Sequence, residues 1–446
     1  MMTTTLIPPG PKGHFLLGNL PELKRDMLGF FTACARRYGD IVSLRIVRRK
    51  AFLLSHPDHI GHVLLDNHRN FIKHRAFWRH TTALLGQGLL TSEGEFWRRQ
   101  RHLAAPAFHT ERIAAYGETK VNHTEKLLAG WQAGEMRDVH QDMQALTMQI
   151  AAKTLFGTDL ESDAATIRTA FDAAMKEINV RWVRPIYIPD TVPLPGTLRY
   201  LRGVRRLEQI VYRLIEERRH SGEDRGDLLS MLLQVRNEAG HPMPEKQVRD
   251  EVMTLLLAGH ETTALTLSWV WYLLSCHPEA EARLLAELDT VLGGRAPTIA
   301  DLNRLPYTEG VVLEALRLFP PAWGMGREVV AACEIGGYPI PAGATIYIIQ
   351  WVLHRDPRYF ERPEEFIPER WLDGLSQRLP RYAFLPFGGG PRTCIGNRFA
   401  LMEARLILAT IAQRFRLLRP SDQPVRPAPI FTLRPEGGVW VKPIRR

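Results

Sequence analysis

Cys394 stands in the stretch Phe387–Gly396, FGGGPRTCIG, where a phenylalanine, three glycines, an arginine and a last glycine surround it at fixed steps. A thiolate can ligate a metal or act as a nucleophile. Helical periodicity starts just after it, over Asn397–Arg416, and the unpaired N–H groups of a helix start favour negative charge on the sulfur. The flanking glycines lack Cβ atoms, so a large flat group can come close to the backbone. A dinucleotide-binding loop is excluded, because its third glycine would fall at Thr393.

Two further stretches put polar side chains into apolar surroundings. Ala258–Thr263, AGHETT, interrupts the long apolar run Val252–Cys276. The His260–Glu261 pair does not start a zinc-protease motif, since position 264 is Ala264 rather than a second histidine. What remains is a notch in a buried helix. Ala258 and Gly259 are small, so something bulky can approach the backbone, and threonines can bond back to a carbonyl and weaken the helical ladder, opening a groove beside Thr262. Taken alone, a core glycine with capped hydroxyls accounts for it equally well. In LEALRLFPP, Leu313–Pro321, Glu314 and Arg317 share a helical face. On a surface that pair is worth little. Among Leu313, Leu316 and Phe319 it needs another partner, which Arg370 of FIPERW can supply.

The elements that must position these groups are mainly helical. Helical patterns run over Ala114–Phe156, Leu198–Arg236, Glu245–Ser275, Pro278–Leu292 and Asn397–Arg416. Ile41–Leu54 predicts a short hairpin, Val329–Gln350 a small sheet with GGYPIPAG as its turn, and Phe431–Val441, FTLRPEGGVWV, a closing hairpin. Ile188–Gly196, with three prolines, must be a loop, and residues 1–21 form an extended proline-rich lead-in.

Composition narrows the class. Hydrophobic residues make up 45% and charged residues 24%, as in ordinary soluble globular chains. Cys34, Cys276, Cys333 and Cys394 include no close pair, which fits a reducing compartment better than a disulfide framework. The start MMTTTLIPPGPKG has no apolar signal core, and Val252–Cys276 is too interrupted for a membrane span of about 20 mainly apolar residues. The expectation is a cytoplasmic protein without a membrane anchor. The net charge of +10 fits a solvated basic surface or a docking face for an acidic partner. Scattered arginines and the lack of a nucleic-acid-binding motif exclude nucleic acid.

With these motifs in this order, the chain resembles a cytochrome P-450, a haem-thiolate monooxygenase. FGGGPRTCIG matches that family's cysteine loop at every defining position. AGHETT resembles its oxygen-binding helix, EALR its Glu-x-x-Arg, PERW its Pro-Glu-Arg-aromatic element, and WRRQR, Trp97–Arg101, its Trp-x-x-x-Arg. The implied fold is mainly α with a minor β region. It is a helix-rich triangular single domain over residues 1–446, with haem between the oxygen-binding helix and the cysteine-loop helix.

The resemblance further implies haem b (iron protoporphyrin IX) with Cys394 as the axial iron ligand. Phe387 would pack near the sulfur, and Gly396 and Ala258 would lie against the cofactor. Trp97, Arg101, Arg327 and Arg392 would hold the propionates, since buried carboxylates require such donors. Glu314, Arg317 and Arg370 would form a structural triad behind the loop. Thr262 and Glu261 would be catalytic, the threonine holding a water on the oxygen side and the glutamate feeding protons.

An apolar pocket would be walled by Phe77–Leu90 (Leu85 among them), Trp182–Pro195, Ala258, Ala322, Trp323, Met325 and Phe431. It would take a bulky lipophile such as a fatty acid, terpenoid or steroid. No reductase follows Arg416, so electrons from NAD(P)H would come through a separate ferredoxin or flavodoxin with its reductase. O2 would be co-substrate, and Arg98, Arg99, Arg101, Arg398, Arg405 and Arg414 a possible landing surface. A peroxide-driven peroxygenase or a non-catalytic haem-binding protein are the alternatives. The Glu261–Thr262 pair counts against both.

Overall fold

In the computed structural model, residues 7–182, 184, 186–236 and 240–446 are described. The longer helices are α1 (Met27–Tyr38), α2 (Gly94–Ala104), α3 (Gly117–Ala129), α4 (Val139–Phe156), α5 (Ala164–Trp182), α6 (Pro195–Ser221), α7 (Glu245–Cys276), α8 (Pro278–Leu292), α9 (Pro306–Leu318) and α10 (Asn397–Ala412). Their ends follow from local chemistry. Proline occupies the first turn of α6, α8 and α9, where its missing N–H costs nothing. Left-handed Gly157, Gly222 and Gly293 close α4, α6 and α8.

α7 is the axis of the molecule. It packs on α4, α6, α9 and α10, and from Val248 to Leu274 nearly all its side chains are buried. A helix covered on every side needs apolar residues on every side, which is why its sequence reads as one long apolar run. α10 also packs on α3 and α9. Among the described residues, no helix is long and apolar enough to cross a membrane.

The strands form the minor part. β1 (Ile41–Ile46) and β2 (Arg49–Leu54) make the expected hairpin. β8 (Thr345–Ile348) runs parallel to β2 and antiparallel to β5 (Met325–Val329), and β3 (Phe71–Lys73) closes the sheet at the edge of β5. β6 (Cys333–Ile335) and β7 (Tyr338–Ile340) pair with each other apart from this sheet. Alternation sends Phe52 and Leu54 into one core cluster and Ala51 and Leu53 into another. The lead-in docks on this sheet: Ser43 N–H donates to the Pro9 carbonyl at 2.8 Å.

Four expectations change. The helical pattern over Ala114–Phe156 is broken between Ala129 and Val139, where β4 (Arg137–Asp138) intervenes. The Leu198–Arg236 pattern ends at Gly222 and resumes as a short helix at Leu228–Gln234. α10 stops at Ala412, and β9 (Phe415–Leu418) takes up the rest of its pattern. The closing hairpin does not form. β11 (Leu433–Pro435) pairs with β10 (Pro427–Pro429), whereas β12 (Trp440–Arg445) pairs with β9 and β4. Gly437 and Gly438 do turn the chain at positive φ, but they pass it to a different sheet.

Candidate functional site

The cysteine loop is fixed by its own backbone. Cys394 N–H donates to the Phe387 carbonyl at 2.9 Å, Thr393 N–H to Gly390 at 3.1 Å, and Gly388 N–H to Leu385 at 3.0 Å. Gly390 has φ 66°, and a Cβ there would collide with the Leu64 carbonyl oxygen. A Cβ on Gly389 would collide with the Tyr382 ring. These two glycines are therefore required by neighbouring protein, which corrects the expectation that all of them make room for a ligand. Gly388 and Gly396 have ordinary space around them. The Cys394 side chain has accessible surface although it lies deep in the fold. Burial pushes its thiol up, while the Gly396 N–H and Arg101 favour the thiolate.

A second accessible stripe lies on α7, which adjoins α10. Ala258 is exposed between buried Leu257 and His260, and Thr262, one turn on, is partly exposed. The Thr262 hydroxyl donates to the Ala258 carbonyl at 2.8 Å, the expected back-bond. Gly259 faces away, toward Ala151 and Leu155 of α4, with ordinary room for a Cβ. It is not the point of close approach that the sequence suggested.

Positive charge gathers beside the loop. Arg392 lies 4.3 Å over the Trp97 ring and donates to the Ser92 carbonyl at 2.8 Å and to Glu93 Oε2 at 2.6 Å. Buried Arg327 is held down to about 10, first by burial and then by Arg392. Lys73, 4.6 Å over the Trp78 ring, is pushed well down by burial, Arg327 and Arg392. Among the described residues, the acid set against these cations is Glu93. Cations crowded in a desolvated site call for more anions. Arg101 stands close enough to feel both Arg392 and Cys394. A flat iron porphyrin with two carboxylates fits these residues: Cys394 would ligate the metal, Ala258 would lie on a face, and Lys73, Arg327, Arg392 and Trp97 would take the carboxylates. Sequence reading missed Lys73. Nothing local separates it from the other basic residues of a chain with 58 lysines and arginines.

The triad is brought together. Arg317 donates to Glu314 through Nε at 2.9 Å and Nη2 at 2.7 Å, and Arg370 Nε donates to Glu314 Oε1 at 3.0 Å. Trp371 Nε1 and the Ile367 N–H complete the carboxylate's shell at 2.8 and 3.0 Å. Arg317 also binds the carbonyls of His354, Pro363 and Glu365. Every charge of this buried group thus has several partners.

Glu261 is buried and turned from the Ala258–Thr262 stripe. Its Oε1 accepts from Arg434 Nε at 2.7 Å and from Thr432 at 3.1 Å, and its Oε2 accepts from Gln144 at 3.2 Å. Burial would raise its carboxyl, but Arg434, His260 and His140 outweigh that and hold it down at about 2. It is an ion-paired carboxylate, not a group poised with a proton.

The pocket residues divide. Phe431 stacks on Trp182 at 5.5 Å, Trp182 on Phe77 at 3.9 Å, and Trp78 meets Phe431 edge-on at 6.1 Å. Ala322 is exposed, and Met325 lies beside Gly388 of the cysteine loop. Leu85 is corrected: it has no accessible surface and belongs to the main core. Trp323 is corrected too. Its ring packs with the cluster of Val42, Leu44 and Leu53 on one face of the sheet, and its N–H donates to the Ile430 carbonyl at 2.9 Å. The segment that carries Leu85 is tied to α7 by carboxylates, with Gln87 N–H donating to Asp250 and Leu89 N–H to Glu251, each at 2.9 Å.

The basic surface is smaller than expected. Arg101 is half-buried within reach of Cys394, and Arg405 is buried against the Leu302 carbonyl and Glu309. Arg98, Arg99, Arg398 and Arg414 remain exposed, the last 3.8 Å from Glu125.

The family model described as Cytochrome P450 matches residues 8–441. Similar relatives include the cyclooctat-9-en-7-ol 5-monooxygenase of Streptomyces melanosporofaciens, 44% identical over 422 residues, which span 94% of this chain and 89% of that one. The cyclooctatin synthase of the same organism is 41% identical across 95% of this chain and 92% of its own. The pentalenene oxygenase of Streptomyces avermitilis is 34% identical across 94% and 93%.

Proposed function

The chain belongs to the cytochrome P450 family and is a monooxygenase, and from that premise we propose that it hydroxylates a cyclic terpenoid with electrons from a separate ferredoxin or flavodoxin. The overall change is R–H plus O2, two electrons and two protons giving R–OH and water. The observation that carries the catalytic reading is an accessible thiol at Cys394 beside a cationic cluster short of anions. The terpenoid reading is supported by relatives that span nearly the whole chain and are named for acting on cyclooctat-9-en-7-ol and pentalenene. The aromatic wall of Phe77, Trp182 and Phe431 supports a bulky apolar ligand.

Cys394 would hold the haem, which would supply the activation of O2. The residues do the rest. Gly396 N–H and Arg101 favour the thiolate that ligation requires. Lys73, Arg327, Arg392 and Trp97 fix the cofactor's carboxylates and so its orientation. The Thr262 hydroxyl spends its proton on the Ala258 carbonyl and keeps its lone pairs for a water. It can rotate to move a proton at Oγ1 toward the oxygen side. The stacked rings exclude bulk water. Exposed Arg98, Arg99 and Arg398 offer an acidic redox protein a landing surface.

Carbon monoxide binding to the reduced, haem-loaded protein tests the ligand. The expected band is that of a thiolate adduct, and a band of the imidazole type ends this reading. Binding of cyclic terpenes, fatty acids and steroids, followed by the haem band, tests the substrate. A response confined to fatty acids or steroids overturns the terpenoid class. Turnover driven by hydrogen peroxide and unsupported by any reductase would move the activity to a peroxygenase.

A further inference from the structure

The turn between β10 and β11 is pinned at nearly every residue. The Trp323 indole donates to the Ile430 carbonyl and the Trp269 indole to the Leu433 carbonyl, each at 2.9 Å. Leu433 N–H donates to the Pro321 carbonyl at 3.0 Å. Thr432 and Arg434 both end on Oε1 of Glu261. Arg434 reaches on to Asp172 of α5 at 2.9 Å, so one guanidinium ties the turn to two helices. Phe431, in the middle, meets the rings of Trp182 and Trp78 and packs against the main core, with no polar tie of its side chain.

On the haem placement proposed above, we propose that Glu261 is a positioning residue for substrate selection: its carboxylate latches the Ile430–Arg434 turn to the central helix and thereby holds Phe431 and Trp182 in the pocket wall. Trp182 ends α5, the helix that Arg434 grips through Asp172, so both rings of the stack hang on the same guanidinium. Both carboxylate oxygens are engaged, and a proton donor must first carry a proton. The rival role is proton feeding. A cavity of about 270 Å3, lined by Gln144, His260, Glu261 and Arg434 and by the apolar Met148 and Phe171, gives the carboxylate an opening. That role requires Glu261 to leave Arg434 and take up a proton. The latch requires it to stay. A buried ion pair gives little net stability but defines one geometry well.

The two roles separate on binding of azoles to the haem-loaded protein. Clotrimazole, a bulky lipophile, samples the pocket wall, and imidazole, which is small, samples the haem alone. Glu261→Gln should weaken clotrimazole about tenfold and leave imidazole unchanged. Thr432→Val keeps the ion pair and guards against misfolding, and it should weaken clotrimazole in the same direction. Glu261→Gln should cost less when added to Phe431→Ala than it costs alone, because part of its effect passes through the Phe431 ring. Losses that add, or unchanged clotrimazole affinity, overturn the latch. If Glu261→Gln instead sends more electrons to hydrogen peroxide, as expected of Thr262→Ala, Glu261 is a proton donor. A wild-type protein that shows no azole shift at all fails the haem placement, and the latch falls with it.

Discussion

Arg317 donates through Nη1 to the backbone carbonyl of His354 at 2.9 Å, and the ring Nε2 of the same His354 accepts the Leu385 N–H at 3.0 Å, just ahead of the cysteine loop. Burial, then Arg317 and Arg355, push this imidazole down to about 3, so it stays a neutral acceptor. The ion-paired triad is thus one residue removed from the turn that presents Cys394. Glu314→Gln leaves Arg317 buried without its counter-charge and should cost about 3–5 kcal/mol in urea denaturation. His354→Phe keeps the ring but orphans the Leu385 N–H, costing about 1–3 kcal/mol. Both should lower haem content in purified protein. Full haem content with unchanged stability would disconnect the triad from the loop.

Thr262→Ala removes the hydroxyl from the accessible stripe of α7 and also removes a back-bond to Ala258. Ligand binding should persist. The share of electrons ending in product should fall about tenfold or more, with hydrogen peroxide rising to match. Product formed per NAD(P)H consumed measures it, and an unchanged ratio removes Thr262 from proton handling.

Lys73→Met takes one cation from a cluster whose members repel one another. The haem-free chain should melt no lower than wild type, while haem should dissociate about tenfold faster. Melting both forms and timing haem transfer to apomyoglobin checks it. A large loss in the haem-free form would mean that Lys73 serves the fold rather than the cofactor.

Glu251 accepts the Leu89 N–H at 2.9 Å, and burial raises its carboxyl from 4.5 to about 7, with Asp250 adding to the rise. A raised acid means that the folded chain holds a proton which the unfolded chain releases. Stability therefore falls as pH climbs from about 4.5 to 7, and this group's effect is absent below that window. Glu251→Gln should flatten this part of the melting-temperature profile. An identical slope in the variant would rule the group out.

Lys120 and Glu403 are fully buried, 3.2 Å apart, in α3 and α10. The ammonium is better placed on the Phe399 carbonyl, at 3.1 Å, than on the carboxylate, whose oxygens accept no well-directed bond. Burial pushes Glu403 up and Lys120 down. Lys120→Met alone should destabilise by about 3–5 kcal/mol, and Lys120→Met with Glu403→Leu should recover most of it. A double variant as unstable as the single would show that the pair earns its place in stability.

What the sequence by itself determined was local. The steps around Cys394, the bounds of α7 and α8, the β1–β2 hairpin and the Glu314–Arg317 pair were legible, because proline, glycine and hydrophobic period act within a few residues. The spacing also carried the family. What only the tertiary structure decided was which distant groups meet. Arg434 reaches Glu261 across 173 positions, and Lys120 reaches Phe399 across 279. The same packing put Lys73 among the arginines, withdrew Leu85 and Trp323 from the pocket, and engaged Glu261. A side chain's type fixes what it can bind. Which partner comes within 3 Å depends on how whole helices and strands settle against one another, and no short stretch of sequence records that.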